Sequence, residues 1–300
     1  MCSKARVKTR DKGQNLGGQG SISYQIGHPF DGCRDLPWAL RRDADDYGSH
    51  NVKTPRPAAY RAAIAEFIKS PQTANAEEVA KRLPTLDEGT HLVLSDIDLM
   101  EPGLRMWDGH TWFPGLGRRA AQIRALFPDA QLRFLLSLRS PDRLLSDALT
   151  RGSKLPDDPD PFALSWCGLV NELRTELPDV PITTWCAEEL PFVWERVLRA
   201  AAALPPDADV PGKLTPLESV LDPEAMARLD SYLQDRPDFS DEMRARVISL
   251  FLDKFAAPEK LEEELVIPGW DDQKHEEMEA RYAADVEALA ALEGVDHIAA

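Results

Sequence analysis

Apolar and polar positions follow two different rhythms along this chain. Ser21-Ile22-Ser23-Tyr24-Gln25-Ile26 alternates with period two and stops at Gly27, which predicts a strand running into a turn. His91-Leu92-Val93-Leu94 and residues 132–138 are short continuous apolar runs, the pattern of strands buried on both faces. Pro181-Ile182-Thr183-Thr184-Trp185 is short and β-branched, a fourth strand. Between these runs the spacing of apolar residues becomes helical over 34–43, 57–69, 76–83, 117–127, 141–151 and 162–177. The helix at 117–127 stops at Phe127-Pro128, because the residue before proline is pushed out of the helical region. Residues 44–57 and the Pro/Asp-rich stretch 155–161 read as connections.

Strands that alternate with helices predict an α/β fold: a parallel sheet flanked by helices in three layers, joined by right-handed crossovers, over residues 21–186. From 187 to 300 the texture is mostly helical, over 189–203, 222–235, 241–256, 259–265 and 271–292, and this part is expected to pack on the core. Asp222-Pro223-Glu224 and Ser240-Asp241-Glu242 are sound helix starts, with acids in the first turn. Val295-Asp296-His297-Ile298 reads as a last short strand. Residues 1–20 are basic, polar and without periodicity, the pattern of a disordered tail.

Composition narrows the class. The chain has 300 residues, 43% of them hydrophobic, enough for a full core. No apolar run approaches the roughly 20 residues of a membrane helix. No apolar segment follows the basic N-terminus, so a secretory signal is not expected. Cys2, Cys33, Cys167 and Cys186 show no CxxC spacing, which predicts reduced thiols in a cytoplasmic protein. The net charge of −16 is uneven: 24 acidic and 9 basic residues fall in 201–300, so that third carries −15. An acidic balance argues against a nucleic-acid partner, which would call for clustered Lys and Arg. The acids lie mostly on predicted helices, such as 259–264 and 271–287, where they read as a solvated face. A small molecule is the expected partner, and the oligomeric state is not specified.

Three segments fall at carboxyl ends of predicted strands, where open α/β sheets bind ligands: Gly27–Arg34, Ser95–Asp98 and Arg139–Ser146. Pro141 fits a first helical turn, where its missing N–H costs nothing. Arg139 is thereby aimed at a phosphate-sized anion beside a helix N-terminus. The competing reading is an arginine that caps the strand and pairs with an acid. His50, His91, His110, His275 and His297 show no metal-ligand spacing, and no metal site is expected. The aromatic loop Trp107–Phe113 reads first as packing under a long loop, then as a cover over a pocket.

The glycine-flanked loop Gly27-His28-Pro29-Phe30-Asp31-Gly32-Cys33-Arg34, the strand ending in Ser95-Asp96, and Arg139-Ser140-Pro141 followed by Ser146 resemble the sulfotransferase family of P-loop-like folds. The resemblance covers residues 21–186. It implies 3′-phosphoadenosine 5′-phosphosulfate as donor and a small-molecule or glycan hydroxyl as acceptor. Gly27, Gly32, Cys33 and Arg34 would cradle the phosphosulfate, Arg139 and Ser146 would hold the 3′-phosphate, and Asp96 would be the base. His28 would contribute to catalysis beside the donor. The first loop departs from the family form G-x-x-K-T-G-T-S: Phe30 replaces the lysine and Asp31 a threonine. The lysine matters because negative charge builds on the bridging oxygen during transfer. A carboxylate ~4 Å from the donor repels it by ~4 kcal/mol at an effective dielectric near 20. Ser146 stands seven positions after Arg139, where the common family spacing is eight; one position rotates a helical side chain by ~100°. Asp96-Ile97-Asp98 also resembles the carboxylate site of GT-A glycosyltransferases, which implies Mn²⁺ and a nucleotide diphosphate. A third reading is a catalytically inactive binding module on the same fold, which the missing lysine favours.

Overall fold

A computed structural model describes residues 20–28, 35–96, 106–154, 156, 159–261 and 265–300. The tail expected at 1–20, apart from Gly20, lies outside these residues, as do Gly32, Cys33, Arg34 and Asp98.

In chain order the elements are β1 (Ser21–Ile26), α1 (Asp35–Arg42), α2 (Ala44–Gly48), β2 (Val52–Lys53), α3 (Pro57–Lys69), α4 (Thr73–Arg82) and β3 (His91–Asp96). Then follow α5 (Leu116–Leu126), β4 (Gln131–Leu138), α6 (Pro141–Thr150), α7 (Trp166–Glu176), β5 (Ile182–Cys186) and α8 (Leu190–Ala201). The last part comprises α9 (Pro223–Gln234), α10 (Asp241–Phe255), α11 (Pro258–Leu261), α12 (Asp272–Ala290) and β6 (Val295–Ile298). All six strands run parallel in the order β2-β3-β1-β4-β5-β6. The α/β class is as the strand–helix alternation predicts. No helix among the described residues is long and apolar enough to cross a membrane.

Strand alternation sorts the core into two layers. Tyr24, Leu94, Phe134 and Ile182 point to one face and pack with Ile64 of α3, Ile123 of α5 and Val170 of α7. Val93, Leu135 and Trp185 point to the other, against Leu40 of α1 and Val197 of α8. A smaller cluster around Leu217, Leu229 and Ile248 joins α9 to α10.

Several boundaries differ from the sequence pattern for local reasons. β3 runs on through Ser95 and Asp96, because the Tyr60 hydroxyl accepts from the Ser95 N–H (2.8 Å) and donates to the Ser95 carbonyl (3.0 Å). Helix α7 begins at Trp166, not at 162: the Ser165 hydroxyl caps it by accepting from the Gly168 N–H at 2.8 Å. Asp285 of α12 adds a second cap, accepting from the Ser165 hydroxyl and the Trp166 N–H, each at 2.6 Å. Trp112 and Phe113, the end of the aromatic loop, are buried and pack on Trp166 with ring centroids 5.7 and 5.9 Å away.

The topology positions the site. From β1 the chain crosses toward β2 over the face carrying α1. From β4 it leaves in the opposite direction over the face carrying α6 and α7. Adjacent strands whose connections diverge leave a crevice at their carboxyl ends. Here that crevice lies between β1 and β4.

Candidate functional site

Gly27 and His28 leave β1 on one side of this crevice, and Arg139 leaves β4 on the other. His28 is completely buried, and burial, helped by the nearby Arg139 charge, pushes its pKa down to about 3. Its imidazole is therefore neutral at physiological pH and supplies no positive charge to a developing oxyanion. The unfolded chain binds a proton near pH 6.5 that the folded chain refuses until about pH 3. Stability is thus complete above pH 6.5 and falls as pH drops through that window. At pH 5 the loss from His28 is about 2 kcal/mol. Urea unfolding at pH 7 and pH 5 is expected to show it, and His28→Gln is expected to reduce the difference. An equal difference in that variant would assign the acid sensitivity elsewhere, for example to His91, which burial shifts in the same direction.

Arg139 is buried, and its guanidinium Nη2 lies 3.1 Å from Asp147 Oδ2. Asp147 is the eighth residue after Arg139, the position where the family spacing places a serine. Ser146, one position earlier, is also buried, and its Oγ accepts the Val266 N–H at 2.8 Å. The α6 N-terminus is equally occupied: Ser140 N–H donates to Glu188 at 2.8 Å and Arg143 N–H donates to Asp142 at 2.8 Å. The Ser140 hydroxyl also donates to Asp142. Asp147 therefore holds the Arg139 guanidinium that the sulfotransferase resemblance assigns to the 3′-phosphate, and Asp142 and Glu188 occupy the helix N-terminus beside it. Trp166 Nε1–H donates to the Arg139 carbonyl at 2.8 Å and anchors this corner in the core.

Asp96, expected in the loop past its strand, is the last residue of β3, in register with Ile26. It is buried, accepts the Tyr24 hydroxyl at 3.3 Å and lies 3.5 Å from Nε of Arg61. Burial, and then the Asp96 charge, raise the pKa of Tyr24 far above its ordinary value. The structure thus brings His28 and Arg139 together and gives Asp96 separate partners of its own.

The sequence reading missed a cleft of about 990 Å³ beside this corner, between the α6 N-terminus, the end of β5 and α12. Asp142 Oδ2 holds His275 Nδ1 at 2.9 Å, and the Trp270 ring lies 5.1 Å from the imidazole. The Tyr282 hydroxyl donates to Glu188 at 3.3 Å. Burial pushes the Cys186 thiol up to about 11, so it stays protonated. Asp142 and His275 are 133 positions apart, and no spacing rule links them. The acids of α12, expected as a solvated face, in part line this cleft. Among the described residues no three His, Cys, Asp or Glu gather to hold a metal ion. Comparisons with protein-family models, curated proteins and solved structures gave no match.

Proposed function

We propose that this protein is a sulfotransferase-like α/β binding module that does not transfer sulfuryl groups. The observation that carries this reading is Asp147 on Arg139, the carboxylate standing where the resemblance places a phosphate. Glu188 and Asp142 at the α6 N-terminus act in the same direction. Each carboxylate repels an incoming phosphate ~4 Å away by ~4 kcal/mol at an effective dielectric near 20. Phe30 at the lysine position and a neutral His28 supply no cation for the transferring oxygen. The residues present do not fit 3′-phosphoadenosine 5′-phosphosulfate.

Thermal shift with 3′,5′-adenosine bisphosphate tests the reading. The native chain is expected to show no shift, whereas a ligand at 100 times its Kd adds about 2.7 kcal/mol. Asp147→Asn, which keeps the shape and removes the internal anion, is expected to gain binding of the bisphosphate. A shift in the native chain that Arg139→Ala abolishes would restore the transferase reading. A shift with UDP and Mn²⁺ that Asp98→Ala abolishes would support the glycosyltransferase reading instead.

A further inference from the structure

Short β2 leaves part of the β3 edge without a strand neighbour. It pairs with β3 only at Val52–His91 and Lys53–Leu92, well before the carboxyl end. Further along, the Tyr60 hydroxyl accepts the Ser95 N–H and donates to the Ser95 carbonyl. Helices α1 and α3 pack on opposite faces of the sheet, and their arginines meet around this hydroxyl. Burial raises the Tyr60 pKa, whereas Arg61 of α3 and Arg41 of α1 both pull it down, which sets both guanidiniums near the phenol.

The two arginines differ in their counter-charge. Arg61 has Asp96 at 3.5 Å, and Asp96 also accepts the Tyr24 hydroxyl. Arg41 Nη1 is buried with no hydrogen-bond partner, and no carboxylate among the described residues pairs with Arg41. Burial pulls the Arg41 pKa down; Tyr60 opposes that and the neighbouring Arg56 charge adds to it. Arg56, the N-cap residue of α3, is exposed and likewise has no ion-pair partner among the described residues. An enclosed guanidinium N–H without a partner, beside a like charge, destabilises the folded chain by itself. An oxyanion between Arg41 and Arg56 removes both costs together. The planar guanidinium matches a carboxylate through paired hydrogen bonds. A phosphate dianion would meet the nearby Asp96 with twice the repulsion of a monoanion.

We propose that Arg41 and Arg56 bind the carboxylate of a small organic acid at the β3 edge, beside Tyr60. The proposal goes beyond the binding-module reading by assigning a ligand class to a second site. One is tested at Arg41 and the other at Arg139, so either can fail alone.

Replacing chloride by acetate at constant ionic strength and pH 7 tests it, with NMR of the arginine Nε–H groups as readout. A saturable shift at Arg41 is expected. Arg56→Gln, an exposed change, is expected to weaken it at least about threefold, and Arg118→Gln on α5 to leave it unchanged. Arg41→Met is expected to lose the rise in melting temperature that acetate gives the native chain. In chloride alone that variant is expected to melt no lower than the native chain, because it removes an uncompensated charge. Four results would overturn the proposal: no saturable shift at Arg41, equal weakening by Arg56→Gln and Arg118→Gln, tighter binding of inorganic phosphate than of acetate, or a lower melting temperature of Arg41→Met in chloride, which would make Arg41 a structural residue.

Discussion

Trp166→Ala is expected to cost about 5 kcal/mol, the largest effect of any single change near the site. Truncating a fully buried tryptophan removes about 3–5 kcal/mol of packing, and this ring stacks on Trp112 and packs at a tilt against Phe113. A further 1–3 kcal/mol follows from leaving the Arg139 carbonyl without its indole donor. Because domains are commonly stable by only about 5–15 kcal/mol, the variant stands near the threshold of unfolding. Trp166→Phe separates the contributions: it keeps most of the stack, loses the hydrogen bond, and is expected to cost about 2 kcal/mol. Urea midpoints at constant slope report both numbers. Equal losses in the two variants would mean that the indole N–H, not the packing, holds the Arg139 corner.

Asp96→Ala is expected to cost about 3 kcal/mol. Its carboxylate is buried and partnered by Tyr24 and Arg61, so deletion takes the acceptor from a buried phenol and an ion-pair contact from Arg61. Breaking a buried ion pair commonly costs 3–5 kcal/mol, and the low end applies because Arg61 is about one-third exposed. Asp96→Asn keeps an acceptor for the Tyr24 hydroxyl and is expected to recover at least half of the loss. A base that takes a proton from a bound acceptor would instead leave stability nearly unchanged on substitution. Finding Asp96→Ala as stable as the native chain would return Asp96 to that role.

Strands β1, β3 and β4 were legible because each is largely an unbroken apolar run or a strict alternation, signals that depend on burial alone. Ser23 and Gln25 gave β1 the look of a half-solvated strand, yet both are buried, because helices cover both faces of the sheet. β2 has two residues and α2 five, too few to show a period. The end of β3 was misplaced because Ser95 and Asp96 look like loop residues; their anchors, Tyr60 and Tyr24, come from distant parts of the chain. The Arg139 corner was visible as a strand–proline–helix junction, with an acid partner among the readings weighed. That the acid would be Asp147 depends on helical phase and side-chain reach. The cleft was invisible for a stronger reason: Asp142, Glu188 and His275 meet only once the helix at 272–290 folds back against the α6 N-terminus.

The sheet contains no hairpin, and this has a consequence for how the chain reaches its native state. Central β1 pairs only with β3 and β4, and already its nearer contact, Ser21 with His91, spans 70 positions. Every strand pair must therefore close a long loop before it gains anything, and loop-closure entropy is spent before the contacts repay it. Topologies of this kind fold slowly and pass through partly assembled states with open strand edges. Refolding from urea is accordingly expected to be multiphasic, with aggregation rising with protein concentration.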